Sequence, residues 1–97
     1  MPRLDVRPEA ELDALDAASW YDGERNGLGL EFLTELRATF ARIEESPRHY
    51  PLVFHDSRRA ILRRFPFGVF FIVEADVATV LAIAHLHRHP DVWQKRV

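Results

Sequence analysis

The stretch RRAILRRFPFGVFFIVEADVATVLAIAH, Arg58–His85, decides the fold. It is rich in Val, Ile and Phe, and turn signals divide it into runs that read as strands over 58–65, 67–74 and 77–86. Pro66-Phe67-Gly68 separates the first two runs, and Glu74-Ala75-Asp76 forms a hairpin between the second and third. The last run is almost continuously apolar, with Val80, Ala82 and Ala84 alternating with Thr79, Leu81 and Ile83. Such a strand is expected in the interior of the sheet, buried by helices on one face and partly buried on the other.

Upstream of this stretch the period changes. From Glu9 to about Asp22 the chain is rich in Ala, Leu and Glu, and Ala10, Ala14, Ala17 and Tyr21 recur at helical steps. Gly23 to Gly29 interrupts with the turn pairs Asp22-Gly23 and Asn26-Gly27. A second helix is predicted from about Leu30 to Glu45, with Phe32, Leu33, Leu36, Phe40 and Ile43 on one side and Pro47 as its stop. A short loop between two helices predicts an antiparallel hairpin, its small first helix letting the bulkier second sit close. Leu4-Asp5-Val6-Arg7 alternates and reads as a short first strand, ended by Pro8. The expected fold is therefore α+β: a two-helix hairpin packed on a small, mainly antiparallel four-stranded sheet in the order β-α-α-β-β-β.

At 97 residues and 47% hydrophobic content, the chain is one domain, 1–97, able to bury a core but with little to spare. With no cysteine, disulfides and thiolate metal sites are excluded. The opening MPRLDVRPEAELD has early acids and no apolar core of a signal peptide, and no apolar run is long enough to span a bilayer. A cytoplasmic protein without membrane association is expected. The net charge of −2 conceals an asymmetry: residues 1–54 hold six basic against eleven acidic side chains, whereas 55–97 hold seven against four. A uniformly nucleic-acid-binding surface is disfavoured, but one basic face on an acidic body is compatible with these numbers.

Two clusters carry chemistry. Arg58, Arg59, Arg63 and Arg64 flank Ala60-Ile61-Leu62; alternation puts Arg59 and Arg63 on one face with Ile61, and Arg58 and Arg64 on the other. One pair faces away from the helices, where guanidinium forks suit phosphate or carboxylate, unless both pair with the chain's own acids. His85, His87 and His89 follow at two-residue spacing, with Arg88 between the last two. Such a row could hold zinc, act as a general acid or base, or be structural. No second ligand type accompanies it at convincing spacing, so neither a metal nor a cofactor is expected. Trp93 either pins the tail to the core or offers a stacking platform. No Walker, dinucleotide, HExxH or GxSxG motif is present.

The order of AASWYDGERNGLGLEF (Ala17–Phe32), Pro47-Arg48-His49-Tyr50-Pro51, RAILRRFPFGVFF (Arg59–Phe71) and VLAIAHLHRHPDVW (Val80–Trp93) resembles the RelE/ParE toxin superfamily, and most of all its ParE-like, plasmid-stabilization branch. His85, Arg88, Pro90 and Trp93 match that branch's ending, and Pro66-Phe67 stands where it commonly has Pro-Tyr. The resemblance implies the toxin of a type II toxin–antitoxin pair. Its partner would be a cognate antitoxin encoded by a neighbouring gene, and its target DNA gyrase, inhibited by binding. The target-binding surface would comprise Arg59, Arg63, Arg64, His85, Arg88 and Trp93. The resemblance also implies an alternative, a ribosome-dependent mRNA endoribonuclease using Arg59, Arg63, His87 and Arg88, and a third reading as a non-toxic partner-binding member. Trp93 has no hydroxyl where the ribonucleases carry a tail tyrosine, and Lys95 is the only lysine. Both departures favour the gyrase-binding expectation.

Overall fold

A computed structural model describes residues 3–88 and 93–96. The chain runs β1 (Arg3–Val6), α1 (Pro8–Glu24), α2 (Leu28–Glu45), a 3-10 turn (Pro47–His49), β2 (Leu52–Phe54), β3 (Ser57–Ile61), β4 (Phe67–Glu74) and β5 (Val77–His85). The sheet has the order β1-β5-β4-β3-β2. β1 is parallel to β5, and the other neighbours are antiparallel. The two-layer α+β architecture is the expected one. The sheet nevertheless has five strands rather than four, because Leu52–Phe54 folds back on β3 through a tight turn in which His55 adopts φ 52°.

α1 begins at Pro8, whose missing N–H costs nothing in a first turn, and Glu9 and Glu11 face the positive end of the helix dipole. It buries only alanines, Ala10, Ala14, Ala17 and Ala18. α2 starts after Gly27, which takes the left-handed φ of 92°, and buries Gly29, Phe32, Leu36, Thr39 and Ile43. Both helices extend further into the turn than the glycines predict. Gly23 lies inside α1, and only Arg25–Gly27 link the helices. Gly29 explains the tight junction: a Cβ there would run into the Ala18 carbonyl oxygen and lie 2.9 Å from Asp22 Cγ. Its amide donates to Asp22 Oδ1 at 2.8 Å, giving α2 an N-terminal hydrogen bond from the preceding helix.

The core lies between the hairpin and the sheet. Tyr21 from α1, Phe32 from α2, Phe65 and Phe67 form a ring cluster with centroid separations of 4.8 Å (Tyr21–Phe65) and 5.2 Å (Phe32 to each of Phe65 and Phe67). Val69, Phe71, Ala78, Val80 and Ile83 complete this layer from the sheet. The expected alternation along β5 is corrected at one point. The β4–β5 register jumps between Phe70↔Ala82 and Phe71↔Val80, leaving Leu81 as an extra residue. Val80 and Ile83 consequently share the helix-facing core, while Ala82 turns to the opposite face with Phe70.

The glycines at the hairpin allow a direct test. Gly29→Ala should lower stability by about 1–3 kcal/mol, because backbone must move to admit the methyl group. Gly23→Ala meets nothing within 4 Å and should be neutral or raise stability by about 0.5–1 kcal/mol through helix propensity. Urea unfolding of both variants checks the contrast, and equal effects would refute the close-packing account.

Candidate functional site

The expected basic residues share one end of the sheet but not one face. The C-terminal end of β3, the start of β4 and the C-terminal end of β5 lie together, joined by hydrogen bonds from Leu62 N to Phe67 O (3.0 Å) and from Leu86 N to Pro66 O (2.8 Å). Arg63, Arg64, His85, His87 and Arg88 belong to this end, and Arg59, in mid-strand opposite Phe70, sends its stem over Gly68 toward it. The expectation of a single sheet face that gathers guanidinium and imidazole groups beside a tryptophan is corrected. β3 ends at Ile61, so alternation does not carry on to Arg63 and Arg64.

The face away from the helices carries Arg59. Its strand neighbour Ala60 is buried among the helices, and its cross-strand partner Phe70 belongs to the opposite layer. The arginine stem crosses Gly68: a Cβ there would lie 3.2 Å from Arg59 Cγ and 3.0 Å from Leu86 Cδ2. Arg59 Nε is buried and has no hydrogen-bond partner among the described residues. Ile61 on the same face is 48% exposed. Trp93 also lies on this face, but as filling. Its ring stacks on Phe70 at 3.9 Å and 15° and meets Phe54 edge-on at 5.7 Å. At 8% exposure it offers little surface to a target.

Arg58 occupies the helix-facing side, as its alternation with Arg59 requires. There its guanidinium donates to the Tyr50 carbonyl at 2.6 Å and fixes the segment that leads into β2. Arg63 and Arg64 sit in the bend after β3, held against α2 by acids that the sequence pattern did not single out. The Arg63 and Arg64 amides both donate to the Glu35 carboxylate. The Arg64 guanidinium donates to Glu31 at 2.7 Å, and Arg25 reaches the same carboxylate at 3.1 Å. Hydrogen bonds from Arg64 and then Arg25 hold the Glu31 carboxyl below its usual range. The same contact holds the Arg64 guanidinium above its own. The i, i+4 pair Glu31 and Glu35, on the side of α2 away from the Phe32–Leu36 stripe, was the available signal, but it also describes an ordinary solvated helix margin.

His85 and Arg88 lie on the α1 side. They border a cavity of about 620 Å³ whose walls include Trp20, Tyr21 and Phe67, with Asp13 and Asp16 on α1. Trp20 is 52% exposed and the Arg88 guanidinium lies 5.8 Å from its ring centroid. His87 N–H donates to His85 Nδ1 at 3.1 Å, so the neutral His85 ring carries its proton on Nε2. Burial lowers the His85 pKa, and the Arg88 and His87 charges add to the effect. Burial likewise raises the Tyr21 hydroxyl, with Arg88 opposing. His89, the third member of the histidine row, lies outside the described residues, as do Pro90 and Asp91. No group of three metal-ligating side chains occurs among the described residues, and no described helix is long and apolar enough to cross a membrane.

No family model matches this sequence, and no curated protein matches it. Among solved structures, a chain of the chromosomal ParDE TA system from P. aeruginosa is similar, with a TM-score of 0.81. The superposition covers 90% of this chain and 98% of that one, at 18% sequence identity. The two chains share one fold over nearly their whole lengths.

The His85 environment makes a pH prediction. Because the folded state disfavours His85 protonation, the unfolded chain binds more protons just below the ordinary imidazole pKa of about 6.5. Stability from this group is therefore present above that value, declines as pH falls through it, and levels off below the folded pKa. His85→Gln should flatten this part of the profile, measured as urea midpoints from pH 8 to 5. An unchanged slope would show that the imidazole is not the titrating group.

Proposed function

We propose that this chain is the toxin of a type II toxin–antitoxin pair, ParE-like, and that it acts in the cytoplasm by binding DNA gyrase or a similar protein target. The single observation that carries this reading is the full-length likeness to a chain of the ParDE TA system, which covers 98% of that chain. The ordered segments of the sequence that resemble the ParE-like branch agree with it.

The layout of the basic end favours binding over catalysis. A ribonuclease would need Arg59, Arg63, His87 and Arg88 around one scissile phosphate, with a base and an acid in reach of it. Here Arg59 lies on the face away from the helices, whereas His87 and Arg88 stand with His85 and Trp20 on the α1 side. Arg59 and the half-exposed Ile61 put a cation beside an apolar side chain on the face away from the helices, a combination suited to a protein surface. The cognate antitoxin, encoded by a neighbouring gene, would engage the other side. A groove of about 440 Å³ between the helices is lined by Leu15, Leu33, Leu36 and Phe40 and bordered by Arg37 and Glu11. An amphipathic helix with acidic flanks fits such a groove.

Purified protein added to gyrase should inhibit supercoiling, and Arg59→Ala combined with Arg63→Ala should weaken inhibition by about tenfold or more, as for loss of a central arginine contact. Added to programmed ribosomes, the unsubstituted protein should leave mRNA intact. Ribosome-dependent cuts that disappear in His87→Ala would replace this reading with the endoribonuclease. Growth inhibition on expression, relieved by the neighbouring gene, checks the pair itself.

A further inference from the structure

On the face away from the helices, two cross-strand rows run over β3, β4 and β5. One is Arg59–Phe70–Ala82 and the next is Ile61–Gly68–Ala84. Phe70 fills the first row, with the Trp93 ring stacked on it. The second row is low at its centre, since Gly68 carries no side chain and Ala84 only a methyl group. A long side chain that starts in one row reaches the diagonal position of the next.

Arg59 takes that diagonal. Its Cγ and Cδ lie 3.2 and 3.3 Å from the point where a Cβ on Gly68 would stand, and Leu86 Cδ2 lies 3.0 Å from the same point. These are closer than ordinary carbon–carbon contact, about 3.5–4.0 Å, so a side chain at 68 would displace the stem. Two other arginines of the cluster are engaged within the fold: Arg58 donates to the Tyr50 carbonyl and Arg64 to Glu31. Among the described residues nothing accepts from Arg59 Nε, although that atom is buried. Folds leave few buried donors unpaired, and such exceptions call for a reason beyond stability.

We infer that Gly68 is a positioning residue for target recognition: it lets the Arg59 stem lie across the low row and so holds the guanidinium for a carboxylate on the partner protein. The inference rests on the reading of this chain as a protein-binding toxin. A guanidinium pairs with a carboxylate through two parallel bonds, a geometry that rewards a fixed fork. Ordering the stem before contact removes an entropy loss from binding. Ile61, half-exposed and directly opposite Gly68, supplies an apolar contact beside the charge.

Gly68→Ala tests the role, because its methyl group would press on side-chain atoms of Arg59 and Leu86 rather than on backbone. It should raise the concentration for half-inhibition of gyrase supercoiling about tenfold, as for loss of a central contact. In an Arg59→Ala background the same change should add about twofold or less, since the stem it displaces is gone. Arg59→Glu should inhibit more weakly than Arg59→Gln, through repulsion of the partner's acid. NMR reads the positioning without the target. The Arg59 Nε–H should exchange with water about tenfold more slowly than that of the exposed Arg37, and Gly68→Ala should erase the difference. Inhibition by Gly68→Ala equal to that of the unsubstituted chain, or an equal loss in both backgrounds, would overturn the positioning role. So would an Arg59 Nε–H that exchanges as fast as that of Arg37, a result that counts even if Gly68→Ala fails to fold. Equal inhibition by Arg59→Glu and Arg59→Gln would overturn the carboxylate. An unsubstituted chain that leaves supercoiling untouched removes the toxin reading itself, a result distinct from all of these.

Discussion

The structure depends on the antiparallel pairing of β4 with β5 and on the single extra residue, Leu81, within it. Both strands are buried on both faces, so each side chain's direction decides which layer it completes. Ahead of the bulge, Phe71 and Val80 face the helices; beyond it, Val69 and Ile83 do. Without the bulge, Ile83 would turn outward and two alanines would face α1. Instead the small Ala82 and Ala84 lie on the outer face, and the space they leave beside Phe70 takes the Trp93 ring. One residue of register thus supplies an aliphatic side chain to the main core and a seat for the tail on the other side.

The same pairing governs the charges. The acidic N-terminal half and basic C-terminal half meet across the hairpin–sheet interface, and much of the asymmetry is neutralised internally. Glu31 takes Arg25 and Arg64, Glu35 takes the amides of the bend after β3, and Asp13 takes Arg96. The exposed pairs add little to stability, since water competes for both partners. The Asp13–Arg96 pair differs in kind, because it is partly buried and both members also bond to strand backbone.

Helices and strands were legible because their periods differ. Alternating small residues in α1, the stripe through Phe32 and Leu36 in α2, and the β-branched runs after Tyr50 all point to the observed elements. Three features were not legible. Leu52–Phe54 is too short to show a period, and it becomes a strand only because Ser57 and Arg58 lie where it can pair with them. The bulge leaves no local mark, because Leu81 is as apolar as its neighbours. Asp13 and Arg96 are separated by 83 positions, and nothing in either neighbourhood announces the other. The arginine cluster was recognised as a group, but its division between faces followed from where β3 stops, at Ile61. That end is set by the Leu62 amide bonding across to Phe67 and by Glu35 capturing the next two amides.

Arg59 shows how such placement bears on recognition. An exposed arginine normally loses rotamer freedom and hydration when it meets a partner, and both losses subtract from affinity. Here Gly68 lacks the side chain that would exclude the Arg59 stem, so the stem already lies across the sheet, confined between Leu86 and the strand surface. Its Nε is already withdrawn from solvent and, among the described residues, unpaired. A carboxylate or carbonyl brought to this face would meet a guanidinium whose ordering and partial desolvation had been met by folding. Among the described residues no acid bonds the Arg59 fork, whereas Arg64, two residues beyond Leu62, is bound to Glu31. Of these two arginines of one cluster, the one over the glycine is ordered ahead of any partner, and the one beside the helix is occupied.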